Sequence, residues 1–231
     1  MARKFFITST GTGIGKTYVT AALIRAARSR NLTVAATKPV ISGFDKREIE
    51  ASDTGQILAA LGEAPSEAAI ARVSPWRYAA PLAPSMAARA EGKLLDCEAL
   101  FSFSNNLLHE QVDLALIEGV GGVMVPLDER KTVLDWIAAS AAPVVLVVGD
   151  YLGAISHSLT AVEVLRIKGV EIAAVVVSEG GGGLFAGTLA ELRSWVAPAK
   201  VLGLGRGEGG EGLLAELSGE SRAGAPEKSG S

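Results

Sequence analysis

The chain has 231 residues, of which 48% are hydrophobic and 20% are charged, enough to bury a full core in one α/β domain. A formal net charge of −3, with Lys and Arg scattered along the chain, argues against a nucleic-acid-binding protein. No stretch approaches the roughly 20 apolar residues of a membrane-spanning helix, and a single cysteine, Cys97, excludes an internal disulfide, so we expect a soluble, cytoplasmic protein.

Strand-like apolar runs alternate with helical patterns along the chain. The runs cover residues 4–8, 33–37, 112–117, 144–148 and 171–177, with a weaker one at 201–204. The helical patterns cover residues 16–29, 96–110, 133–140, 153–168 and 184–195. Because most of the runs are continuous rather than alternating, they predict strands buried on both faces, and hence a doubly wound, mostly parallel α/β sheet. We expect a single domain over residues 1–218 and a disordered, polar tail over residues 219–231.

A glycine-rich segment, Thr8 to Thr17, follows the first strand and opens the first helix. Its glycines let backbone N–H groups turn towards an oxyanion, and the helix N-terminus adds partial positive charge. Lys16 is placed to reach terminal phosphates and the Thr17 hydroxyl to bind Mg²⁺, so the segment predicts a nucleoside triphosphate site of the P-loop type. The strict P-loop pattern has glycine where Thr10 stands, which leaves an ordinary glycine-rich turn as the alternative.

Charged residues stand at the ends of the second and third predicted strands. Lys38 follows the second strand and Glu118 ends the third. Ligands of parallel sheets bind at the carboxyl ends of the strands, where Lys38 suits phosphoryl oxygens and Glu118 suits the shell of Mg²⁺. The alternatives are a solvated lysine and an acid without a ligand. Asp53 follows Ser52 at an apparent helix start, where favourable interaction with the helix dipole is a plainer interpretation than metal binding.

Five segments, in order along the chain, together resemble the dethiobiotin synthetase family. They are residues 10–17, 37–43, 52–53, 117–122 and 148–157, and the resemblance extends over roughly residues 3–180. Its most specific part is the pairing of Lys-Pro-Val-x-Ser-Gly with Ile-Glu-Gly-x-Gly-Gly. It implies the P-loop nucleoside triphosphate hydrolase fold and a homodimeric, ATP- and Mg²⁺-dependent ligase of biotin biosynthesis. Such a ligase joins CO₂ or bicarbonate to 7,8-diaminononanoate and closes the ureido ring of dethiobiotin.

The resemblance also implies roles for individual residues. Lys38 and Lys16 would be catalytic, and Thr12 and Ser42 would contact the diamine or its carbamate. The free N–H groups of the helix that begins at Gly153 would bind the distal carboxylate of the substrate, and this helix would belong to the neighbouring subunit. The residues implied in Mg²⁺ binding are Thr17, Asp53 and Glu118. Those implied in nucleotide binding are Gly13, Ile14, Gly15, Lys16, Thr17, Tyr18, Asp53, Glu118, Gly119, Val120 and Gly121.

The chain departs from the family pattern in the P-loop and near the expected base site. The family commonly has glycine at Ser9 and acids at Gly11 and Gly13, so this loop lacks carboxylates. Where the family often has an asparagine that contacts adenine, this chain has Ser178, which predicts looser base selectivity.

Three other functions share part of the pattern. Amidoligases that build cobyrinic or cobyric acid amides need a glutaminase domain with a catalytic Cys and His, whereas Cys97 is the chain's one cysteine. A partitioning-type switch ATPase has an additional Lys near the start of the loop, where this chain has Ser9, Thr10 and Gly11. A nucleotide-binding protein without catalysis would account for the missing loop acids, but not for the charged residues kept at the strand ends.

Overall fold

The protein is described, over residues 2–220, by a computed structural model in which helices cover both faces of a parallel sheet. The strands are β1 (Arg3–Ser9), β2 (Val34–Thr37), β3 (Val40–Ser42), β4 (Trp76–Tyr78), β5 (Leu114–Glu118), β6 (Val144–Val148), β7 (Ile172–Ser178) and β8 (Lys200–Leu204). The helices are α1 (Lys16–Ser29), α2 (Asp53–Leu61), α3 (Glu67–Val73), α4 (Pro84–Ala90), α5 (Cys97–Leu108), α6 (Val133–Ser140), α7 (Ala154–Ile167), α8 (Phe185–Trp195) and α9 (Glu211–Leu217), with a 3₁₀ turn at Lys46–Ala51.

The main sheet has six strands in the order β2-β5-β1-β6-β7-β8. Each neighbouring pair is parallel. The predicted doubly wound fold is therefore confirmed, and the six predicted strands and five predicted helices end within two residues of their expected bounds. The carboxyl ends of all six strands lie along one edge of the sheet, as the parallel arrangement requires.

Several shorter elements were not predicted. Strands β3 and β4 form a separate two-stranded parallel sheet, and α3, α4 and α9 join the larger helices. Strands of three residues are too short to show a periodic pattern. Helix α2 was expected only as a helix start at Asp53, and its N-cap Ser52 accepts a hydrogen bond from Gly55 N at 3.1 Å.

The core lies on both sides of the sheet because successive residues of each central strand point to opposite faces. In β1, Phe5 and Ile7 pack towards α1, α2, α3 and α9, while Phe6 packs towards α5, α6, α7 and α8. The Phe6 ring meets the edge of the fully buried Trp136 with centroids 4.9 Å apart. Continuous apolar strands thus have the two-sided burial that their sequence indicated.

The C-terminal part of the described chain returns to the N-terminal half. Helix α9 contacts α1 and β8, and the Glu220 carboxylate pairs with Arg3 and Arg30 at 3.3 and 2.8 Å. These contacts support the single domain expected over residues 1–218, which stays a prediction. The predicted tail lies outside the described residues from position 221 onwards. Within residues 2–220, no helix combines the length and apolar character needed to cross a bilayer.

Candidate active site

The loop between β1 and α1 folds around the ammonium group of Lys16. Gly15, in the left-handed region with φ of 98°, precedes the first residue of α1. The Lys16 side chain turns back along the loop, and its Nζ donates to Ser9 Oγ at 3.0 Å and to the Gly11 carbonyl at 3.1 Å. The ammonium group therefore lies within the curve of the loop, where the terminal phosphates of a nucleotide are expected.

The charge of Lys16 is sensitive to its surroundings. Burial lowers the pKa of Lys16, and repulsion from Lys38 lowers it further. Attraction to Glu118 and Asp53 offsets only part of this effect, and the pKa falls to about 8. A bound phosphate would restore the preference for the charged form because it places negative charge beside the ammonium.

The loop that follows β5 packs directly on the P-loop. A Cβ at Gly122 would lie 3.2 Å from the carbonyl carbon and oxygen of Thr10, so any larger residue would press on backbone. The Ser9 hydroxyl lies 2.6 Å from the Gly11 carbonyl and 3.1 Å from the Gly121 carbonyl, and its single proton can be donated to either. The glycines after Glu118 thus allow two backbone loops to approach each other closely.

Lys38, Asp53 and Glu118 form one buried charged group. Because β2 and β5 pair in parallel with Thr37 opposite Ile117, the residues that follow, Lys38 and Glu118, are neighbours. Lys38 Nζ lies 2.7 Å from Glu118 Oε1 and 2.5 Å from Asp53 Oδ2. Lys38 is only 4% exposed and Glu118 is fully buried, so the alternative of a solvated lysine is wrong. Asp53 begins α2, as the sequence indicated, and its carboxylate also pairs with Lys38, a contact that was not predicted.

The ion pairs shift the pKa values of their members. Burial would lower the pKa of Lys38, but the negative charges of Glu118 and Asp53 outweigh it and the pKa is raised. Burial would raise the pKa of Asp53, but the positive charge of Lys38 outweighs it and the pKa is lowered. Lys38 is thus held as a cation and Asp53 as an anion.

The oxygen atoms around Thr17 fit a divalent cation. Thr17 Oγ1 lies 2.8 Å from Asp53 Oδ1 and 2.7 Å from Glu118 Oε1, yet a hydroxyl has a single proton to donate. One of the two contacts therefore joins oxygen lone pairs, which a cation between them would stabilise. Glu118 Oε2 is buried and has no hydrogen-bond partner among the described residues. Two carboxylates and a hydroxyl, completed by phosphate oxygens, are a donor set that Mg²⁺ prefers.

A cavity of about 660 Å³ opens from the P-loop and the charged group. The predicted site residues that line it are Thr12, Gly13, Gly15, Lys16, Thr17, Tyr18, Lys38, Ser42, Asp53, Val120 and Gly121. Three others do not line it. Glu118 is reached through Lys38 and Thr17, Ile14 faces Gly149, and Gly119 backs onto the Phe6 ring.

The far wall of the cavity was not predicted. It consists of Ile41, Gln56, Val125 and the segment Pro81–Pro84 that leads into α4. These residues come from four separate parts of the chain. Apart from Gln56 they are apolar, and apolar residues are not distinguished in the sequence from core residues. Only the paired prolines of Pro81–Pro84 mark the segment as irregular in the sequence.

Comparison with known proteins identifies the family. The chain matches the AAA domain family over residues 3–186. It is 50% identical over 177 residues to an ATP-dependent dethiobiotin synthetase of Phenylobacterium zucineum, covering 76% of each chain. It is 45% identical over 216 residues to that of Methylobacterium nodulans, covering 90% of this chain and 96% of the relative. The chain belongs to the dethiobiotin synthetase family. It is accordingly an enzyme, an ATP-dependent ligase of biotin biosynthesis, and the three alternative functions are disfavoured.

Solved structures of more distant proteins show the same fold. The chloroplast FtsY of Physcomitrella patens is 14% identical with a TM-score of 0.52, over 94% of this chain and 65% of that one. The cell division protein FtsY of Thermotoga maritima is also 14% identical, with a TM-score of 0.50, over 94% of this chain and 68% of that one. These likenesses confirm the P-loop nucleoside triphosphate hydrolase fold predicted from the sequence.

The positions at which this chain departs from the family pattern are also placed. The side chain of Ser178 is buried against the P-loop, because a Cβ at Gly15 would lie 2.4 Å from Ser178 Oγ. A Cβ at Gly13 would meet nothing within 4 Å, so the loop surface beside it is open. The looser base selectivity expected from Ser178 stays a prediction.

Proposed function

We propose that this ligase uses ATP and Mg²⁺ to join CO₂ to 7,8-diaminononanoate, giving dethiobiotin, ADP and phosphate. The observation that carries the proposal is the buried group of Lys38, Asp53, Glu118 and Thr17. Three of its members, Lys38, Asp53 and Thr17, line with Lys16 a cavity large enough for a nucleotide phosphate and a small organic substrate. Family membership supports the same reaction.

The reaction needs an activated carbamate. One amine of the substrate attacks CO₂ to give a carbamate, a poor electrophile whose oxygen then attacks the γ-phosphorus of ATP and displaces ADP. The second amine attacks the activated carbon, closes the ring and displaces phosphate. Lys16 and Lys38 would neutralise charge on the phosphoryl oxygens during the transfer.

No residue of the chain needs to bond covalently to the substrate. The residues that line the cavity include neither cysteine nor histidine within the described chain. Cys97 is buried at the start of α5, and burial raises the pKa of its thiol to about 12, so it is a poor nucleophile. A mechanism that works by positioning and charge neutralisation suits these side chains.

Thr17, Asp53 and Glu118 would hold the Mg²⁺ ion. When bound, the ion would help to neutralise the negative charge that develops on the phosphoryl group during the transfer. The short contacts at Thr17 and the unpartnered Glu118 oxygen support these three residues as its ligands.

The diamine would occupy the part of the cavity beside Ser42 and Thr12. Ser42 Oγ is buried and has no hydrogen-bond partner within residues 2–220, and Thr12 lines the same cavity. Both hydroxyls suit a polar amine or carbamate. The apolar wall of Ile41, Pro81–Pro84 and Val125 suits the hydrocarbon chain of the substrate.

We also expect a homodimer. Leu152, 92% exposed, and Met124, 55% exposed, are large apolar side chains near the start of α7 and the P-loop. A groove of about 470 Å³ runs from Thr12 past Met124 to His157 on α7. Its position supports a second subunit whose α7 would approach the carboxylate of the substrate. Light scattering coupled to size-exclusion chromatography measures the oligomeric state.

The test of the proposed reaction is a complete reconstitution. Purified protein is incubated with ATP, Mg²⁺, bicarbonate and 7,8-diaminononanoate, and dethiobiotin is measured by mass spectrometry together with phosphate. Product formed only when all four components are present supports the proposal. Phosphate release that does not respond to the diamine, without any dethiobiotin, would contradict it.

A further inference from the structure

The two ends of a bound nucleotide can be assigned to the two sides of β1. Lys38 and Glu118, which suit the terminal phosphates and the metal, follow β2 and β5 on one side. The nucleoside would then extend to the other side, over the carboxyl ends of β7 and β8. There Ser178 touches Gly15, and the Tyr18 hydroxyl donates to the Gly205 carbonyl at 2.9 Å. We call residues 178–183 and 205–208 the nucleoside end of the site.

Four consecutive glycines at the nucleoside end form the loop between β7 and α8. Glycines have no side chains with which to fix a loop, and ordering a glycine costs more backbone entropy than ordering any other residue. Gly182 approaches the chain after β6 so closely that a Cβ there would lie 2.2 Å from the Asp150 carbonyl oxygen. The conformation of the glycine loop, residues 180–183, must therefore be set by groups outside it.

Asp150 is the side chain that holds the glycine loop. It follows β6 and is 2% exposed. Its Oδ1 accepts hydrogen bonds from Gly180 N at 2.9 Å and from Gly182 N at 3.3 Å. Bonds from backbone N–H groups to a carboxylate are stronger than bonds to a neutral acceptor. Its Oδ2 is buried and has no hydrogen-bond partner within residues 2–220.

The glycine loop in turn holds the turn after β8. The Gly180 carbonyl accepts a hydrogen bond from the Arg206 guanidinium at 2.6 Å, and Arg206 N donates to Glu179 Oε2 at 2.8 Å. The neighbouring Gly205 carbonyl is the acceptor for Tyr18 of α1. A continuous series of hydrogen bonds thus leads from Asp150 to the helix that begins in the P-loop.

We propose that Asp150 is a positioning residue for the nucleoside of ATP. It orders the glycine loop and, through Arg206, the turn at residues 205–208, and these two backbone segments form the surface against which ribose and base bind. The inference rests on the ATP site of the proposed function and not on the identity of the diamine or of the product.

The test separates the nucleoside from the phosphates. Asp150→Ala removes the acceptor for Gly180 and Gly182, and the Kd for ADP, measured by calorimetry, rises about tenfold. The Kd for inorganic tripolyphosphate, which has no nucleoside, stays unchanged because the P-loop is intact. Asp150→Asn retains an oxygen acceptor and keeps the ADP Kd within about twofold of the unsubstituted protein.

Asp128→Ala is the matched control. Asp128 Oδ1 also accepts two backbone hydrogen bonds, from Arg130 N and Lys131 N, both at 2.6 Å, in a turn that lines neither cavity. This variant should bind ADP normally. An Asp150→Ala variant with unchanged ADP binding, or with equal losses for ADP and tripolyphosphate, would overturn the proposal. So would an Asp150→Asn variant as weak as Asp150→Ala.

The outcome is independent of the reconstitution described above. Binding of ADP and tripolyphosphate is measured without diamine or bicarbonate. A protein that makes no dethiobiotin but shows the nucleoside-specific loss contradicts the proposed reaction and supports the role of Asp150. If the protein makes dethiobiotin but Asp150→Ala shows no nucleoside-specific loss of binding, the proposed reaction is supported and the role of Asp150 is contradicted.

Discussion

The two ends of the nucleotide site are built in different ways. At the phosphate end, buried ion pairs and a lysine inside the P-loop fix charged side chains that come from β2, β5, α1 and α2. At the nucleoside end, backbone carbonyls and N–H groups of glycine-rich segments form the surface, and one carboxylate orders them. Phosphate binding thus depends on charged side chains, and nucleoside binding depends on backbone conformation.

This contrast predicts different consequences of substitution. Removing a charge at the phosphate end leaves its partner buried and unpaired, which affects both stability and chemistry. Disturbing the nucleoside end changes how tightly the nucleoside binds but leaves the reacting groups in place. The following experiments test that division, in order of decreasing expected effect.

The largest effect is expected for Lys38→Ala. Turnover should fall by about three powers of ten or more, because a cation that stabilises the transferring phosphoryl group is lost, while ADP binding changes little. Dethiobiotin formation and ADP calorimetry measure the two quantities. Lys200→Ala, which removes an exposed lysine paired with Glu216, is the control and should behave normally. Unchanged turnover in Lys38→Ala would remove Lys38 from its assigned role.

The next effect concerns stability at the phosphate end. Glu118→Gln removes a buried negative charge and leaves Lys38 paired with Asp53 alone. We expect the free energy of unfolding to fall by about 3 kcal/mol, since one of the two carboxylates that offset the cost of burying the Lys38 charge is lost. Urea denaturation measures this change, and Mn²⁺ titration should show weaker metal binding. If the variant is as stable as the unsubstituted protein and binds Mn²⁺ equally well, neither the stability of the buried charged group nor its metal binding depends on Glu118.

The phosphate end was the more predictable region because its signals are local or follow from strand order. The spacing of Lys16 and Thr17 after β1 specifies their positions at the start of α1. Lys38 and Glu118 meet because parallel neighbours end at the same edge of the sheet, which the alternating pattern already implied. The contact of Asp53 with Lys38 was not predicted, because a carboxylate at a helix start has a sufficient role there in favouring the helix dipole.

The nucleoside end and the far cavity wall could not be predicted in the same way. Asp150 contacts a loop 30 residues later in the chain, and no spacing rule connects an aspartate with the N–H groups of distant glycines. The wall from Pro81 to Pro84 depends on β3 and β4, whose three-residue length gives no periodic signal. Both regions depend on long-range backbone contacts rather than on residue type.

A smaller effect follows from the lowered pKa of Lys16. Protonated Lys16 binds phosphate, and its pKa in the free protein is about 8, so ADP affinity should fall as the pH rises through 8. The slope should approach about tenfold per pH unit until the higher pKa of the complex is reached. Calorimetry in buffers of different ionisation enthalpy should show proton uptake on binding above pH 8. Lys38 should not contribute to this pH dependence, because its pKa is raised and it stays protonated in this range. Affinity that is constant between pH 7 and 9 would contradict this assignment.

The smallest effect distinguishes two glycines on either side of the start of α8. Gly182→Ala places a Cβ against the Asp150 carbonyl oxygen, so the loop must shift and ADP affinity should fall about fivefold. Gly187→Ala, inside α8 where a Cβ meets nothing within 4 Å, should stabilise the protein by about 0.5–1 kcal/mol and leave ADP affinity unchanged. Since Asp150→Ala and Gly182→Ala disturb the same loop, their combined effect should be less than the sum of the two. Full additivity would mean that Asp150 and the glycine loop act separately. It would contradict the proposal that Asp150 orders the backbone at the nucleoside end.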